Sequence, residues 1–506
     1  MKNKFFGLVI LISLILTTGL WAAGEGEGAA EEVTVTYMRS EHPSSPMSQD
    51  APVFQEIQRK TGITVKLEVV PGSDFDTKAN LMLGTGQIPD IMRLRSRTVN
   101  SYADSGVFLP LNDPIKNGAP NLQAILDSIK GVKKTFIDGT MYYVPQLSTD
   151  DKKLMGPIPM IRRDLLDDLG LQMPDSFDEL YTVLKKFKQE WPESQPWSNR
   201  SGTKNLLNRT GFPMGKGWNI HWVPREDRWV YGTVDPEFKK ILEYHRRNYD
   251  EGILDPDYNI NTSSQWQEKM SSGKSFYYHD NMTFSLNYTL AQRKVKPDAL
   301  FWPVPIMENM NGNRQNYFYS KHWFTSGFVV DSQSEVQDAV IRLFDWMASE
   351  EGLAITNWGI ENEHWTRESD GSIEATQSVL DTYRGASDPQ RAMRSGIGTG
   401  LLQFTLLVNQ KPIYYFDPSE VTDWYAQVNA DPNMILPVID PPFSEDERER
   451  LKRLKTDVDN ILNPALDGFI LGTLPLSDFD KVMQQAIDAG AKEIEQIYNA
   501  AEDRLR

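Results

Sequence analysis

The stretch NLMLGTGQIPDIMRLRSRTVNSYADSGVFLPLND, Asn80 to Asp113, carries more architectural information than any other segment of the chain. It reads as a helix, a Gly-x-Gly stop, a short strand, a cationic loop, a second helix and an extended tail. Ser73 and Asp76 have the spacing of a capping box for the first helix. Gly84 and Gly86 are expected to end it, because glycine takes the left-handed C-cap conformation without a Cβ clash. Pro89 and Asp90 launch the apolar pair Ile91 and Met92, and the loop that follows carries Arg93, Arg95 and Arg97. Open α/β sheets bind ligands outside the carboxyl ends of their strands. The three arginines therefore mark a candidate site. Guanidinium matches carboxylate or phosphate bidentately, and the plainer alternative is a solvated cationic face. Arg39 and Glu41, just after the first strand, converge on the same sheet edge.

Outward from this stretch the alternation is β-α-β-α-β. Val33 to Tyr37 suits a strand, Ala51 to Lys60 a helix and Ile63 to Val70 a second strand. Such alternation predicts a parallel sheet flanked by helices, hence an α/β fold. Further strands are expected at 141–145, 158–161, 274–278 and 323–331. Helices are expected at 164–170, from Ser176 to about Gln189, at 236–250 and at 263–272. Ser334 and Gln337 have cap spacing before an amphipathic helix ending near Ser349. Residues 191–232 look loop-rich and residues 366–400 polar and irregular. Two long helices, starting at Ser444 and Ser477, close the chain. No internal repeat is present.

The 506 residues, 40% of them apolar, suffice for two or three domains with full cores. Lys2 and Lys4, the apolar run Phe5 to Leu16 and the small residues Ala22-Ala23-Gly24 form a secretory signal. The acidic, glycine-rich residues 25–32 read as a flexible tether. Cleavage near Gly24 takes the net charge from −17 to −19, which disfavours nucleic acid and anionic membranes as partners. With no cysteine there is no thiol chemistry and no lipid-anchoring cysteine, so a free periplasmic protein is expected.

Tryptophan is unevenly distributed: none lies between residues 22 and 190, and eleven lie between Trp191 and Trp365. Sugar rings stack their C–H faces on such rings, whereas the commonplace use of tryptophan is core packing. Trp218, Trp222, Trp229, Trp302, Trp323, Trp358 and Trp365 lie in or beside loop-like sequence. Residues 359–365, GIENEHW, gather a carboxylate, an amide, a histidine and an indole in one turn. The six histidines lack metal-ligand spacing, and no EF-hand, phosphate loop or nucleophile elbow occurs. A glycosidase-type carboxylate pair is not singled out.

Several segments, in order, resemble the extracellular solute-binding proteins of ABC importers, family 1, in its large oligosaccharide-type group. They are Asn80 to Ile91, Tyr102 to Asp113, Asp138 to Pro145, Met160 to Leu180, Tyr249 to Tyr258, Met270 to Phe276, Phe344 to Gly352, Asn357 to Trp365 and Phe469 to Asp480. The resemblance implies two α/β lobes with interlobe crossing strands and C-terminal helices, and ligand trapped by hinge closure. It divides the chain into a signal peptide (1–24), a tether (25–32), a first lobe (33–145) and a second lobe (146–322). A return to the first lobe and hinge (323–365) and a C-terminal region completing the second lobe and hinge (366–506) follow. The cleft residues it implies are Arg39, Glu41, Arg93, Leu94, Arg95, Arg97, Trp218, Trp222, Tyr278, Asp280, Trp323, Trp358, Glu361, His364 and Trp365. Leu94 and Arg97 stand where maltose-type relatives keep an aromatic and an aspartate, which argues against a neutral malto-oligosaccharide and for an acidic, uronate-type sugar. Asn362 replaces a customary glycine. The expected partners are an oligosaccharide and an inner-membrane ABC permease, with the protein a monomer. No cofactor, metal ligand or catalytic residue is assigned. A secreted carbohydrate-active enzyme, or a binding protein for a peptide or other non-sugar solute, are the alternatives.

Overall fold

A computed structural model describes residues 33–505 except 43–44, 73, 130, 149–155, 319–322, 387, 410–414 and 417–418. The signal peptide, the tether and Ser73 lie outside the described residues. Among the described residues, no helix is long and apolar enough to cross a membrane.

The first lobe is built on a six-stranded sheet. Its spatial order is Leu407–Val408, Val144–Ser148, Trp323–Val330, Ile91–Arg95, Val33–Ser40, Ile63–Val70. Val33–Ser40 pairs in parallel with Ile63–Val70 and with Ile91–Arg95, whereas Trp323–Val330 runs antiparallel to Ile91–Arg95 and Val144–Ser148. Alternation explains the register: Met92 and Leu94 bury on one face while Arg93 and Arg95 point to the other. The Pro-Asp pair does specific work here. Asp90 accepts from the Thr36 backbone amide (2.8 Å) and hydroxyl (2.6 Å) and from the Ser334 hydroxyl (2.6 Å), which pins the start of Ile91–Arg95 to its neighbours. The preceding helix, Phe75–Thr85, stops at Gly86, whose φ of 69° is left-handed and whose N–H returns to Leu83 and Met82 carbonyls. Gly84 stays inside the helix, and its N-cap is Asp74, without a side-chain cap.

The second lobe holds the three-stranded antiparallel sheet Tyr277–Asn281, Pro157–Arg162, Phe301–Pro303. A large helical core covers it, including the 27-residue helix Glu445–Leu471. That helix opens with a full Ser444/Glu447 capping box, and Ser176 caps Phe177–Glu190 through the Glu179 amide at 3.2 Å. At the end of Phe177–Glu190 the Lys188 ammonium donates to the Pro192 and Ser194 carbonyls, both at 2.7 Å, and ties the following turn.

Several expectations change. Arg93 and Arg95 lie in a strand, not a loop, because that strand extends to Arg95 and runs directly into the helix Ser96–Tyr102. Residues 191–232 contain the helix Gly202–Thr210 and the hairpin Ile220–Val223/Arg228–Tyr231. Ser334 donates to Asp90 and accepts the Val336 amide (3.2 Å) in place of the expected Gln337 amide, so Gln337–Ala348 begins after Val336 without a side-chain cap. Residues 366–400 hold two helices, Gln377–Tyr383 and Pro389–Ile397, whose Val379, Met393 and Ile397 bury in the first core. Leu407–Val408, within the region expected to complete the second lobe and hinge, pairs in parallel with Val144–Ser148 at the edge of the first sheet. Gln146 and Leu147, fully buried in that sheet, likewise carry the first lobe past residue 145. The last expected helix is two, Phe479–Asp488 and Ala491–Asp503, broken at Gly490 with φ 112°.

Candidate functional site

A cationic cavity of about 340 Å³ opens at the carboxyl ends of Val33–Ser40 and Ile91–Arg95. Arg39, Glu41, Arg93, Leu94, Arg95 and Arg97 all line it, so the structure brings the six first-lobe residues together. Arg39 is 4% exposed and is held by main chain: Nε donates to the Ser40 carbonyl at 2.9 Å and Nη1 to the Gln403 carbonyl at 3.4 Å. Arg93 donates from Nη2 to Gln146 Oε1 (2.9 Å) and Ser326 Oγ (3.0 Å), and its Nε is buried with no partner among the described residues. Neither guanidinium pairs with a carboxylate among the described residues, although Glu41 and Asp76 also line the cavity. Burial, reinforced by the charge of Arg39, pulls the Arg93 guanidinium down to about 10, so it remains charged at neutral pH. Arg95 has a loose exposed pairing with Asp76 at 3.8 Å. In a chain of net charge −17, this is a local positive field in a concave place, a setting that concentrates anions.

The segment after the second lobe's crossing holds these arginines in place. Gln146 Nε2 donates to the Leu401 and Thr405 carbonyls (3.2 and 2.8 Å), which orients its carbonyl oxygen toward Arg93. Gln403 and Leu402 come from the same stretch.

Two further cavities continue across the lobes. The helix Ser96–Tyr102 gives Arg97 and Thr98 to the cationic cavity and Ser96 and Asn100 to a neighbouring one of about 420 Å³, so it forms a wall of both. That second cavity shares Tyr317, Pro437, Val438 and Asp440 with a third of about 230 Å³. Trp218 and Trp222 line the third, both half-buried. The hairpin that carries Trp222 is gripped by Ala491–Asp503. The Trp229 amide donates to Asn499 Oδ1 (2.9 Å) and the Tyr231 amide to Glu495 Oε2 (2.9 Å). Trp222 then meets Trp229 edge-on at 5.6 Å. His221 beside them is pushed down to about 4 by burial, so it is neutral.

Other sequence-derived positions lie elsewhere. Tyr278 is fully buried in the second lobe's aromatic core, with its hydroxyl 2.5 Å from Ser285 Oγ. Asp280 is 2% exposed and is taken by Arg200 at 2.9 Å; burial would raise its carboxyl, and the charges of Arg209 and Arg200 more than offset this. Trp358 and Trp365 form a small separate core with Ile373 and Tyr415. Trp365 Nε1 donates to the Gly359 carbonyl (2.8 Å), and His364 Nδ1 accepts the Ile360 amide (3.0 Å). The void among them is about 10 Å³, at the lower limit for one water. The polar groups of this turn thus build the turn itself, and Glu361 is left exposed on it. The Trp323 side chain lies outside the described residues. Sequence reasoning missed Gln146, Tyr317 and Asp440. The Pro-rich run 437–442 around Asp440 is the only local signal that marked an extended crossing.

The profile of the bacterial extracellular solute-binding protein family matches residues 44–354. The polygalacturonan/rhamnogalacturonan-binding protein YtcQ of Bacillus subtilis (strain 168) is 24% identical, over 99% of each chain. Among solved structures, alginate-binding protein AlgQ2 without calcium ion superposes with a TM-score of 0.79 at 20% identity, covering 94% of this chain and 99% of its own. The S. pneumoniae ABC-transporter substrate-binding protein FusA in complex with kestose gives 0.74 at 18% identity, covering 93% and 99%. The chain belongs to the bacterial extracellular solute-binding protein family and has its two-lobed fold.

Proposed function

We propose that this solute-binding protein captures an acidic, uronate-bearing oligosaccharide between its lobes and delivers it to an ABC permease. The carrying observation is the pair Arg39 and Arg93, which make no ion pair with a carboxylate among the described residues and line a cavity that leads, through a second one, to the half-buried indoles Trp218 and Trp222. A uronate carboxylate supplies the missing anion, and the rings beyond it supply stacking faces. The names of two relatives agree with this chemistry, since polygalacturonan and alginate are both uronate polymers. Ligand contacts to both lobes shift the population toward the closed form, and that form is what the permease reads. The protein acts as an exported monomer, free in the periplasm, and binds without turnover.

Calorimetric titration with an oligogalacturonate and its carboxyl-reduced counterpart of equal length tests the reading. The acidic sugar should bind at least about tenfold more tightly, the equivalent of one charge-assisted hydrogen bond. Equal affinity for the two, or sustained cleavage of either, would overturn it.

A further inference from the structure

At the end of the cleft away from the arginines, Asp440 lines both shared cavities, with Lys134 and Arg448 beside it in the larger one. The Asp440 side chain is exposed and lines the two shared cavities, while the protein packed around it raises its carboxyl above the usual range. Tyr498 donates to Oδ2 at 3.2 Å, and Oδ1 has no donor among the described residues. The cations nearby are engaged elsewhere. Lys134 holds both oxygens of Glu502 (2.8 and 3.1 Å), and Arg448 pairs with Asp104 (3.2 Å) and Asp138 (3.4 Å). Lys455 donates to the Tyr498 hydroxyl at 2.8 Å, and its charge, with that of Lys134, only partly offsets the burial that raises the Asp440 carboxyl. Arg39 and Arg93 therefore make no ion pair among the described residues, and Asp440 makes none with a cation and leaves Oδ1 open to its cavities.

We propose that Asp440 sets the direction and composition of the bound saccharide: an acidic residue lies against Arg39 and Arg93, and an uncharged residue lies on Trp218 and Trp222 with its hydroxyls donated to Asp440. This rests on the acidic-oligosaccharide reading above and narrows it to a chain with its carboxylate at one end. A second carboxylate on the indole end would face Asp440 across a confined space, where like charges are strongly disfavoured. Hydroxyl donors suit the same oxygen, because a carboxylate only accepts. The specificity thus contains a repulsive element beside the attractive one.

The test compares three trisaccharides on wild type and Asp440→Asn: one with a single terminal uronate (supplied as both end isomers), one with three uronates and one neutral. Wild type should prefer one of the single-uronate isomers over the tri-uronate by about tenfold or more. Asp440→Asn, which keeps the shape and the contact to Tyr498, should bring the two within about threefold, mainly by tightening the tri-uronate. Melting curves would verify that the variant is folded. Tri-uronate binding equal to or tighter than both single-uronate isomers in wild type would overturn the proposal, as would an equal change of both ligands in the variant. If no acidic sugar outcompetes the neutral one, the acidic-oligosaccharide reading itself fails, and this inference with it.

Discussion

Replacing Arg93 by methionine should separate binding from folding. In the ligand-free protein the Arg93 guanidinium is enclosed, sits near Arg39 and leaves its Nε without an acceptor among the described residues. An ordinary guanidinium titrates above about 12, and here burial and Arg39 bring it down to about 10. Each unit corresponds to about 1.4 kcal/mol, so charge burial costs on the order of a few kcal/mol at neutral pH. For a base whose folded value is depressed, that cost is full below the folded value and fades as pH rises toward the unfolded one. Methionine removes the cost and also removes two donors, to Gln146 and Ser326. Hydrogen bonds from a charged group are worth about 1.5–3 kcal/mol each. The opposing changes nearly cancel, and ligand-free stability should stay within about 1 kcal/mol of wild type. Affinity for an acidic oligosaccharide loses its anchor and should fall by about 1.5–3 kcal/mol, roughly 10–150-fold. Urea unfolding without ligand and calorimetry with it read the two quantities. If Arg93→Met lost more than about 3 kcal/mol of stability while binding stayed within twofold, Arg93 would be a structural brace and the reasoning wrong.

Three further outcomes are expected. His221 and His279 are lowered to about 4 and His245 to about 3, burial being the main cause in each. The unfolded chain takes these protons near pH 6.5 and the folded one does not, so stability is full above that pH. It should fall by up to about 1.4 kcal/mol per pH unit for each histidine between roughly pH 6 and 4. Urea midpoints measured across that range should slope steeply, and a flat profile would refute the neutral imidazoles. Gly327→Ala should destabilise by about 2 kcal/mol or more, because the new Cβ would come within 2.3 Å of the Val144 carbonyl oxygen in the neighbouring strand; an unchanged unfolding midpoint would contradict this close packing. Lys188→Met should cost about 1 kcal/mol by removing the donor to the exposed Pro192 and half-enclosed Ser194 carbonyls, with thermal unfolding as the readout and an unaltered transition as the contrary result.

The readable parts of the sequence were those whose structure is set by near neighbours. Ile63–Val70 follows from its β-branched run, and Phe177–Glu190 and Glu445–Leu471 from serine caps that act three residues away. The first-lobe cavity was legible because Arg39 and Arg93 to Arg97 lie at or just past the carboxyl ends of neighbouring strands. Distant partners decided the remainder. Arg93 extends a strand because Phe328, 235 residues later, lies opposite it. The apparent loops around Trp222 are ordered by Asn499 and Glu495 on a helix near the chain's end. Residues 359–365 misled because their polar groups satisfy one another locally, which composition does not distinguish from readiness for a ligand. Asp440 was marked only by the proline-rich run around it, because distant segments assemble the two cavities it lines.

A crystal structure with a bound single-uronate oligosaccharide would test the central claim most directly. The account predicts a sugar carboxylate within hydrogen-bonding distance of the Arg93 and Arg39 guanidinium groups, with uncharged rings on Trp218 and Trp222. A carboxylate turned to solvent, with only sugar hydroxyls against the arginines, would contradict it.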